Sequence, residues 1–130
     1  VPQGPETIAG TERILIVDDE ETVLRVAERS LNRLGYRTQV AASASEALAL
    51  LADADTPPDV VVTDIAMPTM TGTDLVRQIR NQAPEQRVVF MSGYSDDPDS
   101  VVLDEHTVNL SKPFSVDEIG LAVRQVLGAR

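Results

Sequence analysis

The chain has 130 residues, no cysteine, one histidine and a formal net charge of −10 at pH 7. The lack of cysteine excludes disulfides and thiolate metal sites. The acidic balance argues against direct nucleic-acid binding by this domain, because gripping a phosphate backbone requires clustered Lys and Arg. No apolar run reaches the length of a membrane span, so we expect no membrane insertion and a cytoplasmic location, even for a membrane-attached parent chain.

Residues 1–11 contain two prolines and two glycines and show no hydrophobic period. This composition predicts a linker or flexible N-terminal segment, followed by one domain over residues 12–130. The first residue is not methionine, which suggests a piece of a longer protein.

Strands and helices alternate along the first half of that domain. Arg13–Val17 is an unbroken apolar run, which predicts a central strand of a parallel sheet. The helix that follows has a predicted buried face made of Val23, Val26, Ala27, Ser30, Leu31 and Leu34. Gly35 is expected to end this helix. Residues 36–41 form the second predicted strand, and Ser43 or Ser45 is expected to cap a second helix.

The alternation continues through the second half. Residues 59–64 are rich in β-branched side chains and predict a strand buried on both faces, which ends in Asp64. The other predicted elements are a helix capped by Thr71 or Thr73, a strand over residues 87–91, a short helix starting near Pro98, a strand over residues 108–110 and a helix capped by Ser115.

Five strands alternating with five helical segments predict an α/β fold. We expect a single doubly wound, five-stranded parallel sheet with helices on both faces. The carboxyl ends of the strands in such a sheet converge on one crevice, where ligands bind. The residues at these ends that carry reactive groups are Asp18, Asp19, Asp64, Ser92 and Lys112.

Three carboxylates in one crevice repel each other, by roughly 4 kcal/mol for a pair 4 Å apart at an effective dielectric near 20. They therefore require protonation or a cation, and Mg²⁺ suits a site built from a few carboxylates. Asp18 and Asp19 have a competing explanation as acids that complement a helix N-terminus. Asp64 favours the metal site, because no helix cap explains an acid that closes a buried strand.

Asp64 is also a candidate nucleophile, since carboxylates form aspartyl-phosphates in some phosphoryl-transfer enzymes. Lys112 is placed to pair with phosphoryl oxygens, and Ser92 is placed to donate a hydrogen bond to them. The competing interpretations are an ordinary surface lysine and a turn serine beside Gly93.

Four short motifs in this order resemble the receiver domains of two-component signalling. They are VDDE at residues 17–20, TDIAMP at 63–68 together with Gly72, MSG at 91–93 and SKPF at 111–114. The resemblance covers roughly residues 13–127 and implies the flavodoxin-like strand order 2-1-3-4-5. It also implies that Asp64 is the phosphoacceptor. The Mg²⁺ ligands that it implies are Asp18, Asp19, Asp64 and the backbone carbonyl of Ala66.

The same resemblance implies roles for the last two strand ends. Ser92 is expected to swing toward the phosphoryl group, and Lys112 to contact it across a cis bond to Pro113. Receiver domains usually carry Tyr or Phe three residues before the lysine, as a rotamer switch coupled to the hydroxyl, but this chain has Asn109. Residues 95–105 are short and acidic, which is unusual for the fourth helix of the family, and we expect phosphorylation to reorganise residues 93–105.

The function that the resemblance implies is a phosphoacceptor in a two-component phosphorelay. The domain is expected to take a phosphoryl group from a histidine kinase or histidine phosphotransfer domain and to catalyse its own phosphorylation and dephosphorylation. It is then expected to switch conformation and so regulate a partner or the parent kinase. Residues 92–97 and the linker-like start suggest the C-terminal receiver of a hybrid sensor kinase, and a stand-alone or N-terminal receiver is the alternative.

Three other functions remain open from the residues alone. An aspartate-nucleophile phosphatase of the haloacid dehalogenase type carries a second acid two residues after the nucleophile, where this chain has Ala66. A nucleotide or flavin binder needs a phosphate-cradling loop after the first strand, where residues 18–21 are all acidic. A receiver-like docking module that is never phosphorylated is the third.

Overall fold

The computed structural model describes residues 8–93 and 104–128. Within them, five strands form one all-parallel sheet. The strands are β1 (Arg13–Val17), β2 (Arg37–Ala41), β3 (Val60–Asp64), β4 (Arg87–Ser92) and β5 (Thr107–Ser111). Their order is β2-β1-β3-β4-β5, as predicted, so β3 is the central strand.

Four helices lie in the described part of the chain. They are α1 (Glu21–Arg33), α2 (Ala44–Asp53), α3 (Gly72–Gln82) and α4 (Val116–Leu127). Ser43, Thr71 and Ser115 cap the last three, because each hydroxyl accepts the backbone N–H three residues further on. The cap of α4 is a full capping box with Glu118. The N-cap residue of α1 is Glu20, which makes no side-chain capping bond.

The core has two layers, one on each face of the sheet. α1 and α4 cover one face, and α2 and α3 cover the other. Successive residues of β3 alternate between the layers: Val60 and Val62 pack in the first, and Val61 packs in the second. All five residues of β3 are buried, which explains why its sequence lacks polar alternation.

The predicted buried face of α1 was wrong at two positions. Val26 is 44% exposed, whereas Leu24, which the prediction omitted, is buried. At 100° per residue, Leu24, Ala27 and Leu31 share one face, and Val26 lies about 100° away from Ala27. Val23 is partly buried against the same core layer.

Residues 8–11, which the sequence placed in the linker, contact the domain. Ile8 is buried beneath α4 at Gly120, and its carbonyl accepts the Tyr36 hydroxyl at 3.0 Å. Gly10 N–H donates to Leu34 O at 3.1 Å. The domain boundary at residue 12 stays a prediction, but the packing of the core begins at residue 8.

The short helix that the sequence predicts near Pro98 lies outside the described residues. Among the helices of the described ranges, none is both long enough and apolar enough to cross a membrane.

Candidate functional site

Asp64 is the last residue of the central strand. It is 5% exposed, and it pairs in register with Met91 of β4. The strand is buried along its whole length, so the carboxylate emerges directly from the core at the carboxyl end of the sheet. This is the position that the sequence predicted.

Asp18 and Asp19 follow β1, the neighbour of β3. Asp18 is fully buried, and its Oδ1 accepts the Glu20 N–H at 2.8 Å, while Asp19 is exposed. One carboxylate oxygen from each of Asp18, Asp19 and Asp64 lies within 4.8 Å of the others. The helix-terminus explanation therefore accounts for one oxygen of Asp18 and leaves the three-acid cluster unexplained.

Lys112 joins two of these acids. Its Nζ donates to Asp18 Oδ2 and to Asp64 Oδ1, each at 3.0 Å, and its side chain is 17% exposed. Burial would lower the pKa of Lys112, but the hydrogen bonds and charges of the two carboxylates outweigh burial and raise it. Lys112 is therefore cationic at neutral pH, and the interpretation as an ordinary surface lysine is excluded.

The donor set fits a hard divalent cation. One lysine against three carboxylates leaves two negative charges in the cluster, and the oxygen ligands are those that Mg²⁺ prefers. Burial raises the pKa of Asp18 despite its hydrogen bonds to Glu20 and Lys112, so its charge is incompletely compensated by the protein alone. Ala66 is exposed two residues after Asp64, and the role of its carbonyl stays a prediction.

The loop after Asp64 is folded tightly back on the strand end. Gly72 N–H donates to Ile65 O at 2.7 Å, and a Cβ on Gly72 would lie 1.9 Å from the carbonyl oxygen of Asp64. Met70 N–H donates to Pro68 O at 2.8 Å around Thr69, whose φ is 74°. This is the rarer, strained form of γ-turn. The loop therefore holds the backbone of the candidate phosphoacceptor in place.

Ser92 and Lys112 end neighbouring strands, and Lys112 N–H donates to Ser92 O at 2.8 Å. The Lys112–Pro113 peptide bond is cis, as predicted. Ser92 Oγ accepts a hydrogen bond from Asn109 Nδ2 at 3.1 Å. The competing interpretation of Ser92 as a simple turn residue does not account for this contact.

The structure thus brings together Asp18, Asp64 and Lys112 by direct contact, with Asp19 at the same cluster. Sequence reasoning missed two features of the site. One is the close approach of Gly72 to Asp64, which a glycine at the first position of a helix could have signalled. The other is the bond between Asn109 and Ser92, because the sequence indicates only that position 109 lacks the usual aromatic side chain.

Comparison with known proteins identifies the family. Residues 14–124 match the model of the response regulator receiver domain. The chain is similar to the sensor kinase CckA of Brucella abortus, with 34% identity over 122 residues that cover 92% of this chain and 13% of CckA. It is also similar to the regulatory protein AtoC of Escherichia coli, with 35% identity over 117 residues that cover 88% of this chain and 25% of AtoC.

Solved structures show the same fold. A response regulator receiver domain protein from Clostridium thermocellum has a TM-score of 0.80 and 29% identity, covering 89% of this chain and 94% of that one. The chemotaxis response regulator CheY4 of Vibrio cholerae has a TM-score of 0.75 and 26% identity, covering 90% and 99%. The chain spans at most a quarter of CckA and AtoC. It belongs to the response regulator receiver domain family of two-component signalling.

Proposed function

We propose that Asp64 is the phosphoacceptor and that it receives a phosphoryl group from a phosphohistidine. The donor would be a histidine kinase or a histidine phosphotransfer domain, including kinase domains of the same parent chain. The observation that carries this proposal is the direct contact of Lys112 with both Asp64 and Asp18, beside Asp19. The Asp64 carboxylate is buried at the end of β3, and the Lys112 ammonium group contacts it.

The transfer exchanges one bond to phosphorus for another. A carboxylate oxygen of Asp64 attacks phosphorus, a P–O bond forms, and the P–N bond to the imidazole breaks. The electron pair leaves on the imidazole nitrogen, which then takes up a proton. The product is an acyl phosphate on Asp64, which water later hydrolyses back to carboxylate and inorganic phosphate.

The chain's own residues position the phosphoryl group. Lys112 exchanges its contact with Asp64 Oδ1 for a contact with a phosphoryl oxygen, and its charge stabilises the developing negative charge. Ser92, one residue beyond the register partner of Asp64, supplies a hydroxyl donor. Asp18, Asp19 and Asp64, with the Ala66 carbonyl, would hold Mg²⁺, which supplies further charge neutralisation when bound.

The alternatives lack support at specific positions. Ala66 occupies the place where an aspartate-nucleophile phosphatase needs its second acid, and residues 18–21 put four carboxylates where a nucleotide binder needs a phosphate cradle. A docking module without phosphorylation has no use for a lysine held between two buried acids. A C-terminal place in a hybrid sensor kinase stays our proposal for the parent chain, with a cytoplasmic location.

The test is the intact mass of the domain after incubation with Mg²⁺ and acetyl phosphate, beside the Asp64→Asn variant. We expect a gain of one phosphoryl group in the wild type that requires Mg²⁺ and is absent in the variant. Asp59→Asn is the matched control, because Asp59 lies just before the opposite end of β3 and its substitution should leave the modification intact. No adduct with acetyl phosphate or with a histidine-phosphorylated donor would favour the docking module.

A further inference from the structure

Asn109 occupies the middle of β5 and binds the candidate switch hydroxyl. Its neighbours Val108 and Leu110 pack into the core layer under α1 and α4, and Asn109 itself is exposed. Its register partner on β4 is Phe90, two residues before Ser92. From there Asn109 Nδ2 donates to Ser92 Oγ at 3.1 Å.

The two partners of Ser92 lie on opposite flanks of its strand. The sheet order places β4 between β3, which carries Asp64, and β5, which carries Asn109. The staggered χ1 rotamers of a serine are about 120° apart, so a rotamer that directs Oγ toward one flank directs it away from the other. Bonding to Asn109 therefore competes with bonding to a group on Asp64.

We propose that Asn109 is a positioning residue that holds the Ser92 hydroxyl on the β5 side while Asp64 is unphosphorylated. When Ser92 turns to donate to the phosphoryl group, the bond to Asn109 breaks and the amide is released at the exposed surface of β5. This inference rests on the proposed role of Asp64. In this proposal, the exchange of hydrogen bonds at Ser92 takes the place of an aromatic rotamer switch.

The size of the effect follows from the kind of bond. A neutral hydrogen bond contributes about 0.5–1.5 kcal/mol, which corresponds to a roughly twofold to tenfold bias toward the resting orientation of Ser92. Removing the Asn109 amide should remove that bias. Because a ligand shifts an equilibrium only by its preference for one state, a phosphoryl mimic should then bind more tightly by the same factor.

The experiment titrates the Mg²⁺-loaded domain with beryllofluoride, a mimic of the phosphoryl group, in four forms: wild type, Asn109→Ala, Ser92→Ala and the double variant. We expect Asn109→Ala to tighten apparent binding roughly twofold to tenfold. In the Ser92→Ala background the same substitution should change nothing, because the bond is already gone. An equal change in both backgrounds, or no change in either, would overturn the proposal.

Ser111→Ala is the matched control, because Ser111 is exposed on the same strand and pairs in register with Ser92. It should leave beryllofluoride binding unchanged, and a change like that of Asn109→Ala would overturn the proposal. Failure of the proposed function is a separate outcome: beryllofluoride then binds neither the wild type nor any variant. The resting bond is checked independently in the untreated wild type.

That check uses the side-chain amide protons of Asn109, read by nuclear magnetic resonance. They should exchange with water more slowly than those of Asn81, an exposed residue of α3. They should lose this protection once beryllofluoride is bound. Exchange as fast as that of Asn81 in the untreated domain would overturn the proposal, even if the Asn109→Ala variant failed to fold.

Discussion

The two carboxylate oxygens of Asp18 serve three different interactions. One oxygen accepts the N–H of Glu20 at the entrance of α1, the other accepts from Lys112, and the residue belongs to the three-acid cluster. It is also the most deeply buried acid of the three, with no exposed surface. Because burial raises its pKa, folding without a metal disfavours its charged form.

The substitution Asp18→Asn should therefore separate stability from metal binding. Asparagine keeps the shape without the charge, so we expect the metal-free variant to be more stable than the wild type at pH 7. The advantage should shrink as the pH falls through the raised pKa of Asp18, because the wild-type acid then becomes neutral as well. Urea unfolding without metal, over a range of pH, measures this.

Mg²⁺ should reverse this order of stability and make the wild type more stable than Asp18→Asn. A ligand present at ten times its dissociation constant adds about 1.4 kcal/mol to the wild type, and the variant should gain little of it. Asp19→Asn is the control, because Asp19 is exposed and its loss should leave metal-free stability nearly unchanged. If Asp18→Asn were less stable than the wild type without metal, the bond to Lys112 would outweigh the cost of burial.

At the scale of the residue, the sequence predicted positions better than contacts. The strand ends placed Asp18, Asp64 and Lys112 together because parallel strands share one carboxyl edge. It did not predict that Asn109 bonds to Ser92, since that contact depends on side-chain rotamers across two strands. Hydrogen bonds between side chains of different strands leave no local pattern.

At the scale of the element, an ion pair ties the start of β1 to α4. Glu12 accepts from Arg124 at 2.5 Å, and the guanidinium lies 5.7 Å from the centre of the Tyr36 ring. Burial would raise the pKa of Glu12, but hydrogen bonds from Arg124 and from backbone N–H groups outweigh it and lower the pKa. Both side chains are less than one quarter exposed.

The sign of the pH dependence follows from that lowered pKa. Glu12 contributes stability above the pKa of an unfolded glutamate, about 4.3, and this contribution is lost as the pH falls through the folded value. We expect Glu12→Gln to lower the free energy of unfolding at pH 7 by about 1 kcal/mol, with the difference closing below about pH 4. Urea unfolding at pH 7 and pH 3.5 measures it.

Glu85→Gln is the control for this prediction, since Glu85 is exposed in the turn before β4 and should show no such difference at either pH. A deficit of Glu12→Gln that persisted unchanged at pH 3.5 would point to lost packing and not to the ion pair.

The caps of the helices were easier to predict from the sequence than the ion pair between Glu12 and Arg124. Ser43, Thr71 and Ser115 each act within three residues of sequence, whereas Glu12 and Arg124 are 112 residues apart.

At the scale of the whole molecule, core packing reaches back to Ile8, while the domain boundary at residue 12 stays a prediction. Prolines and glycines in residues 1–11 predicted a flexible segment, and the composition of that segment does not show that one of its few apolar residues packs into the core. Ile8 is 6% exposed and belongs to the core layer under α1 and α4. The overall order of strands was predicted correctly because it rests on many buried residues and on the family resemblance.

The substitution Ile8→Ala tests where cooperative folding starts. Removing a buried isoleucine side chain should cost about 2–4 kcal/mol, a large share of the 5–15 kcal/mol that typically stabilises a domain. Val26→Ala is the matched control, because Val26 is 44% exposed and its truncation should change stability by about 0.5 kcal/mol or less. Thermal or urea unfolding compares the two variants, and equally small effects would support the predicted boundary at residue 12.

The contact between Gly72 and the carbonyl of Asp64 has a genetic consequence. Every missense change at a glycine codon introduces a Cβ, and at this position that atom would lie 1.9 Å from the backbone oxygen of Asp64, the candidate phosphoacceptor. No substitution at residue 72 is therefore conservative, whereas Pro68 in the same loop is exposed and position 69 requires only a residue that tolerates a φ of 74°. A randomised library of this loop would return diversity at 68, residues that tolerate a positive φ at 69, and a single amino acid at 72.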